Sequence, residues 1–239
     1  MIRISVLSHS SGDTASLQSA LRHSKRLRCD LVFFLGGLGS SPQATVDLLR
    51  SASAVTLMSP ADRRLVRTRP RILNQASRLW LLRQGVYWRG DIEGIKVSAE
   101  HISRTLHGLQ LTTSQLLDYP RSLRRELAGP HLFLVGKETV PFAKRFGLWA
   151  FCSPGSVAGP LHPSAPRYAS GTFATIDVPS RRMQVRSALD GEPLPLNEEG
   201  RLRERSASLA EGDRGVRSKA QRRGATSATQ GAAAPGRRP

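Results

Sequence analysis

The sequence predicts an α/β protein, a layered sheet over which a second group of strands closes as a sandwich. Two observations carry this reading. In the first half, apolar runs of strand length alternate with helix-periodic segments, the pattern of a sheet covered by helices. In the second half, β-rich runs follow one another at residues 131–135, 148–151, 173–178 and 183–187. A third observation bounds the domain. From Gly191 onward the composition shifts to Gly, Ala, Ser, Pro and Arg without an aromatic residue. The expected organisation is one domain over residues 1–189 and a disordered basic tail over 190–239.

Taken in order, residues 2–7 are aliphatic and β-branched and read as the first strand. Residues 14–27 read as a helix with Asp13 as N-cap, and Leu17, Ala20 and Leu21 on one face. Residues 31–35 form a continuous apolar run, as in a strand buried on both faces. Residues 42–52 read as a helix with Pro42 in its first turn and Val46, Leu48 and Leu49 available for burial. Residues 54–57 make a third short strand. Helices are expected over 72–83 and 114–127, and short strands over 86–88 and 95–99. A short helix over 198–209 within the tail stays open.

Composition narrows the class. The 239 residues are 39% hydrophobic but only 5% aromatic, so the core is aliphatic. The net charge is +18 and the pI about 11.5. From Gly191 onward ten Lys and Arg stand against six Asp and Glu, a net +4, which leaves +14 on the rest. Such an excess favours a polyanion partner, nucleic acid or an acidic membrane surface, or else reflects an Arg-rich genome. The two cysteines, Cys29 and Cys152, each flank an apolar run. They read as buried free thiols in a reducing compartment, not a disulfide framework. No stretch approaches the ~18–20 apolar residues of a membrane span, and the chain enters a strand without a signal-peptide pattern. The expectation is a cytoplasmic protein.

The strand ends carry the informative residues. Ser8-His9-Ser10-Ser11-Gly12 follows the first strand and Gly36-Gly37-Leu38 the second. Ser59-Pro60-Ala61-Asp62 follows the third, and Gly136-Lys137-Glu138-Thr139-Val140-Pro141 follows residues 132–135. Ser153-Pro154-Gly155-Ser156-Val157, with Pro160 beyond, precedes a closing strand over 173–178. In order and spacing these blocks, over residues 1–188, resemble the calcineurin-like metallophosphoesterases, in particular the compact bacterial and archaeal phosphodiesterases. That family reads D-x-H-G-N, G-D, G-N-H-D, G-H-T-H-x-P and N-P-G-S-V-x-x-P at these places.

The resemblance implies a four-layer α/β/β/α metallophosphoesterase sandwich. In active members two metal ions about 4 Å apart clamp a phosphate and activate water. Their carboxylate and imidazole ligands lie at the carboxyl ends of the strands. Here the framework is kept and most ligands are replaced. His9 stands at the first Asp and Ser11 at the first His. Gly37 stands at the second Asp, Pro60 at the metal-binding Asn and Ala61 at the catalytic His. Lys137 and Thr139 stand at two further His ligands. Glu100-His101 is the best match to the family's H-G motif. Gly, Pro and Ala cannot ligate, and Lys has only donors.

The resemblance therefore implies a non-catalytic binding scaffold for an unidentified protein or polyanion, with no cofactor, as in the retromer subunit that shares the fold. Two alternatives stand beside it. One is a metal-dependent phosphodiesterase or phosphatase with a relocated or mononuclear site, needing a divalent ion such as manganese. The other is a nucleic-acid-binding module on Arg67, Arg69, Arg71, Arg83 and Arg89, interleaved with Trp80, Tyr87 and Trp88. Against the last stands a solvated arginine face with core tryptophans. Lys137, with Arg63 and Arg64, reads either as an anion site in the vacated pocket or as a solvated loop. The tail arginines read as solubilising or as a weak polyanion contact. Gly36-Gly37-Leu38-Gly39 lacks the Lys-Ser/Thr of a phosphate-binding P-loop.

Overall fold

The computed structural model describes residues 1–101, 129–136, 140–159, 171–198 and 200, all within one compact unit, Met1–Arg203. The helix expected over 114–127 and the tail beyond residue 200 lie outside the described residues. So does most of the segment 198–209.

The first sheet has the order β10-β9-β1-β2-β3. Its strands are β1 (Arg3–Leu7), β2 (Leu31–Phe34), β3 (Val55–Thr56), β9 (Thr172–Asp177) and β10 (Arg182–Ser187). The first three are parallel, and β9 runs antiparallel to both β1 and β10. Parallel neighbours need crossover helices, which are α1 (Thr14–Arg26) and α2 (Pro42–Ser51). Asp13 caps α1 by accepting from the Ser16 N–H at 2.9 Å.

The second sheet has the order β4-β5-β6-β8-β7. It comprises β4 (Tyr87–Ile92), β5 (Ile95–Glu100), β6 (His131–Val135), β7 (Phe142–Phe146) and β8 (Trp149–Ser153). β5, β6 and β8 are parallel, and β4 and β7 pair antiparallel at the edges.

Three apolar layers follow from strand alternation. Ile4, Val6, Phe33, Leu35, Val97, Leu132, Leu134 and Ile176 pack between the sheets. Leu7, Phe34 and Phe173, on the opposite face of the first sheet, meet Leu17, Val46, Leu49 and Val66 from the helices. The run 31–35 is thus buried on both sides because β2 lies inside the first sheet. On the outer face of the second sheet, Phe133 and Phe151 stack at 4.7 Å. Together these make an α/β sandwich of two mixed sheets.

Three elements differ from the expected series. Residues after β3 form a helix, α3 (Pro60–Thr68), and α4 covers only Gln75–Leu82 after a 3₁₀ turn at Pro70–Ile72. Strand β7 is also additional. Its FAKRF sequence has two cations and alternates only weakly, which hides an edge strand. Residues 190–198, expected in the tail, pack on the domain. Arg186 bridges to Pro193, and Leu194 and Leu196 cover Ala143 and Val185.

Candidate functional site

The carboxyl ends of β1, β2, β3 and β5 converge, and with them His9, Gly36, Gly37, Ser59 and His101. His9 leaves β1 in the left-handed region (φ 50), as does Ser11 (φ 49). This conformation is uncommon outside glycine and persists where surroundings fix it. The loop after β8 supplies that fixing. Ser8 Oγ donates to the Gly155 carbonyl at 2.6 Å, and Ser156 Oγ to the His9 carbonyl at 3.0 Å. The His9 N–H donates to the Gly36 carbonyl at 2.9 Å, tying β1 to β2.

His101 reaches across the sandwich from the second sheet to the first. Its Nδ1 lies 2.5 Å from the Leu35 carbonyl oxygen. The carbonyl can only accept, so Nδ1 carries the proton and the ring orientation is set. Its centroid stands 5.1 Å from that of His9, with the planes tilted by 58°.

Gly36 and Gly37 allow this convergence. Both have positive φ, 97° and 90°. A Cβ on Gly37 would stand 2.8 Å from His9 Nδ1, and one on Gly36 would stand 2.9 Å from His101 Nδ1. The imidazoles, together with the Ser59 and His9 backbone, therefore occupy the space that side chains at these two positions would need.

Asp62 brings a carboxylate to this cluster of strand ends, and it is spent on the backbone. Its Oδ2 accepts from the Gly37 N–H at 2.8 Å and the Ser59 N–H at 2.9 Å. Its Oδ1 accepts from the Leu38 N–H at 2.9 Å. Ser59 Oγ returns a bond from the Asp62 N–H, which completes a capping box with Pro60 at the first helical position. The signature Ser-x-x-Asp with Pro at the first helical position is legible in the sequence. The likeness of Pro60 and Ala61 to a ligand loop with its ligands replaced masks it.

The donor set decides whether a binuclear metal centre fits. Two imidazoles meet at the rim, while Gly37, Pro60 and Ala61 have no ligating atom. Among the described residues no three His, Cys, Asp or Glu side chains group as a metal site. Such a centre does not fit these residues. Lys137 and Thr139 lie outside the described residues, as does Pro160.

The basic residues divide into separate places. Arg63, Arg64 and Arg67 line an open groove on α3 with Pro60 and Thr68, of about 420 Å³. Arg69 is the residue after α3, and Arg71 sits in the 3₁₀ turn. Arg83 follows α4. Arg89, on β4, places its guanidinium 5.6 Å from the Tyr87 ring centroid. The two tryptophans are packing residues. Trp88 meets Phe33 edge-on at 5.1 Å between the sheets, and Trp80 packs against the helical layer. Both cysteines are free thiols. Burial pushes the Cys152 thiol up to about 12 and that of Cys29 to about 11.

No protein-family model and no curated protein sequence matches the chain. Solved structures do. A metallophosphoesterase from Sphaerobacter thermophilus is 17% identical, covering 92% of this chain and 94% of that one, with a TM-score of 0.54. YfcE, a phosphoesterase from E. coli, is 13% identical over 81% of this chain and 97% of its own, with a TM-score of 0.56. Vps29 from Entamoeba histolytica, solved with Zn2+, is 18% identical over 80% and 96%, with a TM-score of 0.53. The chain therefore has the calcineurin-like metallophosphoesterase fold. Among the described residues no helix is long and apolar enough to cross a membrane.

Proposed function

We propose that this chain is a non-catalytic binding scaffold built on the metallophosphoesterase fold. The observation that carries the reading is the refilled strand-end cluster. His9 packs against Gly37, where the family's second Asp would project, His101 packs against Gly36, and the Asp62 carboxylate holds backbone amides together. Fold alone does not fix activity, so the donor set bears the weight. That Vps29 is among the similar structures accords with a protein-binding use of the fold but names no partner here.

A second reading rests on the convergence of the two imidazoles, which could hold a single divalent ion for a phosphodiesterase reaction. Metal content after purification without chelator and with added manganese, measured beside hydrolysis of a generic phosphodiester, separates the two. No stoichiometric metal and no turnover is the expected result. One ion per chain, with turnover lost on His9→Ala or His101→Ala, would establish the mononuclear enzyme. Two ions with turnover would overturn the scaffold reading and the ligand positions together.

A further inference from the structure

The groove on α3 carries three cations with no acid beside them at the surface. Arg63, Arg64 and Arg67 are all exposed. The two ion pairs formed among the described residues, Met1 with Glu93 and Arg3 with Asp177, lie elsewhere. The one acid of α3, Asp62, is buried and engaged by amides. Thr68 turns its hydroxyl back to the Arg64 carbonyl at 3.0 Å, so the groove presents guanidinium groups alone as strong donors.

Spacing makes these arginines one surface. Positions 63 and 67 are four apart and 64 and 67 three apart, so they are neighbours on one helix face, with Cβ atoms about 5–6 Å apart. The capping box fixes the start of α3 rigidly to the β2 loop. The arginines thus sit on a positioned element, and Arg forks match phosphate oxygens bidentately.

We propose that this groove binds the phosphodiester backbone of a single-stranded nucleic acid, without base readout. This deepens the scaffold reading by naming the partner and rests on it. A row of like charges with no acid between them suits a chain with one negative charge per unit. A peptide partner would need a buried apolar anchor, and the lining offers only Pro60 and arginine stems. No aromatic ring lines the groove, so base stacking contributes nothing there.

The test is fluorescence anisotropy of the full chain with a labelled oligouridine RNA over a salt series. The triple variant Arg63→Gln, Arg64→Gln, Arg67→Gln should bind about tenfold more weakly at low salt. Its slope of log K against log salt should fall by about 2, the value for three phosphates on a single strand. A control of equal charge change, Arg69→Gln, Arg71→Gln, Arg83→Gln, should stay within about threefold of wild type. All six positions are exposed, and circular dichroism confirms that each variant folds. Equal losses in groove and control variants would assign the binding to overall charge and overturn the site. So would no binding at low salt, or tighter binding to phosphatidylserine vesicles than to RNA. In each of these cases the scaffold reading stands. RNA cleavage in manganese would instead remove the scaffold reading itself.

Discussion

The His9 and His101 rings lie 5.1 Å apart, yet they come from the ends of β1 and β5, strands of different sheets. Each ring backs onto a glycine of the β2 loop, His9 onto Gly37 and His101 onto Gly36. The two glycines and two imidazoles form one packed unit, so restoring a single ligand should damage the protein before it restores chemistry.

Gly37→Asp tests that coupling. The new Cβ would meet His9 Nδ1 at 2.8 Å, on a backbone at φ 90. A loss of about 2 kcal/mol is expected, from strain at a left-handed position and from crowding. Urea unfolding with an unchanged m-value measures it. Adding His9→Asp should recover only a small part, because the new Cβ also meets the His9 Cα at 2.9 Å and its backbone N at 3.1 Å. A Gly37→Asp protein as stable as wild type would show that the β2 loop yields to a side chain at this position.

Asp62 joins α3 to the β2 loop through three backbone N–H groups. Asp62→Ala leaves those donors buried or poorly paired and removes the cap. The expected cost is about 3 kcal/mol, read as a shift in urea midpoint. Asp62→Asn keeps one acceptor oxygen and should cost less. Equal costs would mean that the charge, rather than the number of accepted bonds, holds the junction.

His131 gives the fold an acid sensitivity. It is 5% exposed and stacks on Phe133 at 4.6 Å. Burial first, then the nearby Lys96 and Arg89 charges, lower its pKa to about 4. The folded value lies below the unfolded one of about 6.5, so the unfolded chain binds the proton more readily. Stability from this residue is therefore intact above pH 6.5 and declines as pH falls from 6.5 toward 4. The decline should be on the order of 2 kcal/mol. Urea midpoints for wild type and His131→Leu at pH 7, 5.5 and 4.5 test it. The variant should lose less stability on acidification, and parallel curves would refute the assignment.

The thiols should be inert. With Cys152 pushed up to about 12 and Cys29 to about 11 by burial, little thiolate exists at pH 8. Iodoacetamide should leave Cys152 unmodified in the native protein and alkylate both residues in urea. Mass spectrometry reads the outcome, and native alkylation of Cys152 would show that the inter-sheet core opens.

Local pattern determined the α/β class, the first five elements to within a residue or two, and the identities at the strand ends. Each is a short-range property: the apolar run at residues 31–35, the cap at Asp13, the glycines after β2. The two-sheet sandwich was expected, but its strand assignment was not: residues 173–178 and 183–187, read with the second group of strands, form β9 and β10 of the first sheet beside β1. Local pattern was insufficient for α3, whose capping box looked like a broken ligand loop, and for β7, an edge strand with two cations. It also could not say that residues 190–198 return to the domain, since Leu194 and Leu196 find Ala143 and Val185 only across the edge between the sheets. At the site, the residue types were readable one block at a time. That His101 meets His9 through a bond to Leu35, that Asp62 turns inward, and that Arg63, Arg64 and Arg67 part company with Arg69 and Arg71 were decided by tertiary structure. The reason is physical: contacts between residues 66 or 92 positions apart depend on how two sheets stack, and no local periodicity encodes that distance.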